Sequence, residues 1–341
     1  MRVCIFGAGA IGGVVAGLLA RHKGVEVSVV ARGRTLSAIQ SHGLRVSTAT
    51  EEFTVRVNAA SDARELPRQD FVFVTLKGHQ LVEALPQIEA LMDKDTVVIP
   101  PTTGIPHYFF YDAENPERSR RLASIDPDGK LWATLPPKQV LGAVYWFGAH
   151  AEGPGVVRLE GEKGGVPIGE LDGRSSARVM ALNEALSAAG IHAPVKQNIR
   201  GDIWVKFVNS LCWNAVAILT MAKNGDLGSD PTIAGLLQEL MTEADSVASA
   251  LGVVVPYPPE KRIKLTLGAP EHKMSMLQDL EMGRPLEFDY LYRSFYAVRD
   301  LAAIATPTVD MVLALARARS KHSSVLAPPV VASNGSDRKT I

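Results

Sequence analysis

The sequence is poor in cysteine and carries no excess of charge of either sign. Only Cys4 and Cys212 occur in 341 residues, too few for a disulfide framework, and such sparse use points to a reducing compartment. The 36 basic and 36 acidic residues cancel, so no global field draws the chain to nucleic acid or to an anionic membrane. Eight histidines and two cysteines lie scattered without ligand spacing, which argues against a metal centre. No apolar run reaches the roughly 18 residues expected of a membrane span. Met1-Arg2-Val3 leads straight into an apolar run, with no charged and cleavable leader before it. The expectation is a cytoplasmic protein with neither a nucleic-acid nor a membrane partner.

What is present is ordinary globular material, and its length suits two domains. Short apolar runs at Val3 to Phe6, Val25 to Val30, Phe71 to Leu76 and Thr96 to Ile99 read as buried parallel strands. Between them, Ile11 to Ala20, Leu36 to Ser41 and Leu81 to Met92 read as helices. This alternation predicts a doubly wound parallel sheet of the Rossmann type. Pro100 to Pro137 reads as a long loop excursion. Strands are expected at Val140 to Phe147, Val156 to Glu160 and Val166 to Ile168, with a helix near Arg178 to Ala189. From Ile199 the pattern turns helical: Ile203 to Met221, Thr232 to Leu251, Ser275 to Met282, Leu286 to Ile304 and Val309 to Arg319. The expected division is a dinucleotide-binding α/β domain over 1–198 and an all-helical domain over 199–320. A Ser-, Pro- and Gly-rich tail from Ser320 is expected to be disordered.

Gly7-Ala8-Gly9-Ala10-Ile11-Gly12 joins the first strand to the first helix. Gly7 permits the turn, Gly9 lets backbone approach a pyrophosphate, and Gly12 lets helix and strand pack closely. The second strand runs into Val30-Ala31-Arg32-Gly33-Arg34 with no acid to accept from a ribose hydroxyl. Two guanidiniums there suit a 2′-phosphate, which favours NADP(H) over NAD; the alternative is a pair of solvated loop charges. Lys77 ends another strand, where doubly wound sheets bind ligands, although a strand-end lysine can equally be a solvated charge.

Reduction of a ketone by hydride needs a proton donor near the carbonyl oxygen. On the helix from Ile203, Asn209 lies about 60° from Lys206 on one side, with Ser210 about 40° and Asn214 about 80° on the other. These four form one polar stripe on an apolar helix, costly to bury unless it is used. A solvent-facing helix edge is the competing account. In Gly283-Arg284-Pro285-Leu286-Glu287, glycine and proline break the helix and leave Glu287 in the first turn of the next, a place where carboxylates also serve structure.

These segments carry a resemblance. Asn198-Ile199-Arg200 through Trp204-Val205-Lys206-Phe207, Ser275-Met276-Leu277-Gln278-Asp279 and Pro285-Leu286-Glu287-Phe288-Asp289 are similar to those of the ketopantoate (2-dehydropantoate 2-) reductases. The resemblance runs from Gly7 to about Arg319. It implies an NADPH-dependent reductase of 2-dehydropantoate, on the route to pantothenate and coenzyme A. It implies Lys206 as general acid, Glu287 as the carboxylate that contacts ligand and supports it, and Ser275 and Asn214 on substrate. It further implies Arg32 as phosphate clamp, Lys77 as a cofactor-side lysine, and pairing of two copies through the helical domain. Thr103 stands where the family usually has the asparagine of an Asn-Gly pair that contacts cofactor or substrate. Ser210 stands where it has the first asparagine of the lysine helix, and Asn209 adjoins it. Both departures bear on which keto acid is bound. A related 2-hydroxyacid or opine-type dehydrogenase, or a non-catalytic NADP sensor, are the other readings; a sensor has no need of Lys206 and Glu287.

Overall fold

The computed structural model describes residues 1–101, 103–161 and 165–322. The first half runs β1 (Arg2–Phe6), α1 (Ala10–Ala20), β2 (Glu26–Val30), α2 (Gly33–His42), β3 (Leu44–Ser47), β4 (Glu52–Val55), β5 (Asn58–Ala60), β6 (Phe71–Val74), α3 (Leu81–Ala90) and β7 (Val97–Ile99). It continues with α4 (Lys130–Thr134), β8 (Gly142–Ala143), β9 (Ala149–Gly153), β10 (Val156–Leu159), β11 (Ile168–Gly169) and α5 (Ala177–Ala188). The remainder is helical: α6 (Ile199–Thr220), α7 (Asn224–Ser229), α8 (Pro231–Ala250), α9 (Pro259–Thr266), α10 (Ser275–Glu281), α11 (Phe288–Ala302) and α12 (Pro307–Lys321).

The central sheet has strand order β5-β2-β1-β6-β7 with every pair parallel. Its strands are apolar throughout because both faces are covered: Val3 and Ile5 point into one core, Cys4 and Phe6 into the other. β1 pairs with β2 on one side and β6 on the other, so the chain order reverses at β1 and the glycine loop lies at this switch point. A second sheet, ordered β4-β3-β10-β9, covers α1, and Gly13 lets that helix sit against Val157.

In the helical half α6 is the central element, packed by α8, α10, α11 and α12. It has 22 residues and is apolar enough, by length and composition, to cross a membrane, although Arg200, Asp202 and Lys206 interrupt its apolar run. Its surroundings explain it, for Trp204, Phe207, Leu211 and Trp213 are fully buried in the helical core. Trp204 Nε1 donates to Asp245 Oδ1 at 3.0 Å, and Asp245 also pairs with the buried Arg262.

The expectation of an excursion over Pro100 to Pro137 needs correction. The segment folds back: Ile105, Tyr108 and Phe109 are buried in the core of the helical half, and Leu131 and Leu135 lie in a core of the parallel sheet. Arg200 of α6 pins it, its guanidinium donating to the carbonyls of Phe109, Tyr111 and Leu171. Strands β3, β4, β5 and β9 and helices α7 and α9 were not expected, and the strand expected over Val140 to Phe147 contracts to Gly142–Ala143. α12 continues to Lys321, past the expected start of the tail, whose remainder lies outside the described residues.

Candidate active site

Gly7 takes a left-handed φ of +110° directly after β1, and its N–H donates to the Val30 carbonyl at 3.0 Å. A Cβ on Gly12 would overlap the Gly7 carbonyl and the Thr75 hydroxyl, whereas one on Gly9 would meet nothing within 4 Å. Gly12 therefore closes α1 onto the strands while Gly9 leaves an open face. Ala8, Ala10 and Ile11 are half-buried around it. No side chain caps α1 and its first turn holds no acid, so its N–H groups and positive dipole end are available to an anion. Arg32 is the N-cap residue of α2. It and Arg34 are exposed, with no side-chain partner among the described residues. This set fits the phosphates of a dinucleotide.

In the helical half, α6 carries Lys206. Its Nζ lies 5.0 Å from the centre of the Trp146 ring, and burial pushes its amine from the ordinary 10.5 down to about 8. One turn on, the Asn209 Oδ1 is buried with no hydrogen-bond partner among the described residues. Ser210 is half-buried, and its carbonyl accepts from Asn214 Nδ2 at 2.7 Å. Asn214 Oδ1 accepts the Met276 N–H at 2.9 Å, so this buried amide ties α10 to α6. Ser275, first residue of α10, is exposed.

The two halves meet at the ends of β6 and β7. Lys77 Nζ lies 3.1 Å from Asp279 Oδ2 of α10, and the Gly78 N–H donates to Glu287 Oε1 at 3.2 Å. Glu287 is the N-cap residue of α11, one position before the first turn expected for it. Thr103 is half-buried beside Gly104, which turns with φ +83°. The Tyr290 ring packs so closely on Gly78 and Gly104 that neither could carry a Cβ. Strand ends, Lys77, Glu287 and Thr103 thus line one junction.

Several residues of this region carried no local signal. Trp146, Tyr290 and Asp279 are brought in by contacts between distant segments. The hydroxyls of Tyr108 and Tyr145 are buried without a partner among the described residues; an unpaired buried hydroxyl is costly, and that cost is what a ligand could remove. No spacing rule finds such pairs.

Comparison with known proteins agrees with this architecture. The family described as Ketopantoate reductase PanE/ApbA matches residues 3–173, and its C-terminal counterpart matches 198–320. A 2-dehydropantoate 2-reductase of Mesorhizobium japonicum is 40% identical over 318 residues, 93% of this chain and 97% of the relative. A candidate ketopantoate reductase of known structure from Ralstonia solanacearum is 32% identical with a TM-score of 0.85, covering 94% of this chain and 98% of that one. A D-mandelate dehydrogenase solved with NADH and anilino(oxo)acetate shares the fold, at TM-score 0.78 and 24% identity over 95% and 99% of the two chains. The chain belongs to the ketopantoate reductase family, as a 2-dehydropantoate 2-reductase-like oxidoreductase with an NAD(P)-binding fold.

Proposed function

We propose that the protein reduces a 2-keto acid with NADPH, with 2-dehydropantoate as the leading substrate in a cytoplasmic pantothenate pathway. The observation that carries this reading is the Lys206 amine, buried in the cleft of a dinucleotide-binding fold and lowered to about 8. When bound, NADPH supplies the hydride. As the carbonyl oxygen gains charge it needs a proton, and an ammonium with that value donates one near neutral pH far more readily than an ordinary lysine. Asn209, with its unpaired buried oxygen, Ser210 and Thr103 face the substrate. Ser275 completes that set, Asn214 serves it by holding α10 through the Met276 N–H, and Glu287 holds the ligand from the Gly78 side. Gly7 to Gly12 hold the pyrophosphate, Arg32 the 2′-phosphate and Lys77 the cofactor side of the cleft. The division of labour follows the boundary at residue 198, with pairing of two copies through the helical half.

The test follows NADPH absorbance with a panel of 2-keto acids, comparing wild type with Lys206→Ala. Equal oxidation by both, with every keto acid, rejects Lys206 as the donor. Arg32→Ala is expected to raise the KM for NADPH about tenfold or more while barely changing that for NADH; an equal effect rejects the clamp. A second reading, favoured by Thr103 and Ser210 at two family asparagine positions, is a 2-hydroxyacid dehydrogenase of an aryl-substituted keto acid. The D-mandelate dehydrogenase of the same fold was solved with anilino(oxo)acetate, an aryl-substituted oxo acid derivative. A higher kcat/KM for phenylglyoxylate than for 2-dehydropantoate selects it. Light scattering reports the dimer.

A further inference from the structure

Trp146 follows β8 in the α/β half, whereas Lys206 belongs to α6, yet the ammonium nitrogen lies 5.0 Å from the centre of the indole ring. The tryptophan is 37% exposed, a large apolar surface left at the cleft rather than spent on the core. Its backbone is fixed, the N–H donating to the Gly165 carbonyl at 2.7 Å. The ring is thus presented to the lysine by one half of the molecule while the other half presents the lysine. An aromatic face within about 6 Å attracts a cation and not a neutral amine.

We infer that Trp146 is a positioning residue for Lys206, holding its ammonium by a cation–π contact so that the buried side chain keeps its proton and its direction. The inference rests on the reading of Lys206 as proton donor. Two opposing effects meet at this nitrogen. Burial favours the neutral amine, and the ring offsets part of that preference without introducing a carboxylate that would compete for the proton.

The ionisable groups on neighbouring elements are engaged elsewhere. Asp245 of α8 pairs with Arg262, Asp279 of α10 with Lys77, and Asp310 of α12 with Arg299. Glu287 of α11 accepts from Gly78, and Glu160 beyond Gly148 bridges His150 and His272. The Tyr145 phenol beside Trp146 is pushed up by burial and stays neutral. Asp202, one turn back on α6, lies 3.9 Å from Lys196, and the indole ring is the group that the geometry places at the Lys206 nitrogen.

The test uses the full chain with Trp146→Leu and Trp146→Phe, and two readouts. The first is the pH dependence of kcat for keto-acid reduction. The second, independent of turnover, is the pH dependence of Lys206 labelling by trinitrobenzenesulfonate, read by peptide mass. Trp146→Leu is expected to lower both midpoints by about 0.5–1 pH unit, and Trp146→Phe by about half as much, with the KM for NADPH little changed. Should Trp146→Leu fail to fold, Trp146→Phe carries the test alone. An unmoved labelling midpoint overturns the contact. A shifted labelling midpoint together with full turnover by Lys206→Ala supports the contact and overturns the proton-donor reading instead.

Discussion

The Lys77 ammonium lies 3.1 Å from the Asp279 carboxylate, a pair 202 residues apart in the chain that clips the end of β6 to α10. Asp279 also takes Arg284, whose Nε lies 2.7 Å from its other oxygen. Lys77 is 39% exposed and Asp279 only 11%, so the two sides of the clip are unequal. Lys77→Ala is expected to cost less than about 1 kcal/mol, as a partly solvated ion pair does. Asp279→Ala leaves two cations facing each other and is expected to cost about 1–2 kcal/mol more. Urea unfolding midpoints decide between unequal and equal costs.

Lys206 is where function and stability conflict. Its folded-state value is near 8 against an ordinary 10.5, so between those values the unfolded chain binds more protons. The penalty is fully present below pH 8, and stability rises with pH across that window. A shift of this size corresponds to at most about 3 kcal/mol. Lys206→Met is therefore expected to be the more stable protein at pH 7, with the difference from wild type shrinking toward pH 10.5. It is also expected to lose 10²-fold or more in keto-acid reduction. A Lys206→Met protein less stable at pH 7 would count against a buried, destabilised amine.

The glycine loop separates binding from folding. Gly9→Ala points into open space, so the melting temperature should hold while dinucleotide affinity falls. Gly12→Ala collides with the Gly7 carbonyl and the Thr75 hydroxyl, and is expected to cost about 1–3 kcal/mol by forcing α1 off the strands. Thermal melts with and without NADPH distinguish the two, and the same response from both variants would refute the assignment.

Arg200 holds three backbone carbonyls with one planar group. A lysine is a single point of charge and cannot span them. Arg200→Lys is expected to cost about 2–4 kcal/mol, from carbonyls left unpaired, and to raise protease cleavage between residues 106 and 137. Unchanged cleavage would show that the segment is held by its buried Ile105, Tyr108 and Phe109 alone.

Elements whose contacts are local were legible. β1 and β2 announce themselves as apolar runs, and α1, α3, α5 and α6 by composition and period, each within a few residues of its observed ends. Strand β3 is short and pairs with β10 across more than a hundred residues, so it has no local pattern strong enough to be seen, whereas the apolar run of β10 was legible. Tyr108 and Phe109 are buried in a turn outside any helix or strand, where no period marks them.

The glycine loop, the strand-end arginines and the polar stripe around Lys206 were present in the amino-acid order, because each depends on spacing within one turn or one strand. Whether these parts face one another is a different matter. Trp146 beneath Lys206, Asp279 on Lys77 and Glu287 on Gly78 join segments 60 to about 200 residues apart. Such pairs exist only once the buried faces of α6, α10 and α11 have chosen how the helical half sits on the strand ends. Burial also sets the Lys206 amine near 8, because the cost of desolvating a charge belongs to the assembled cleft and not to the lysine.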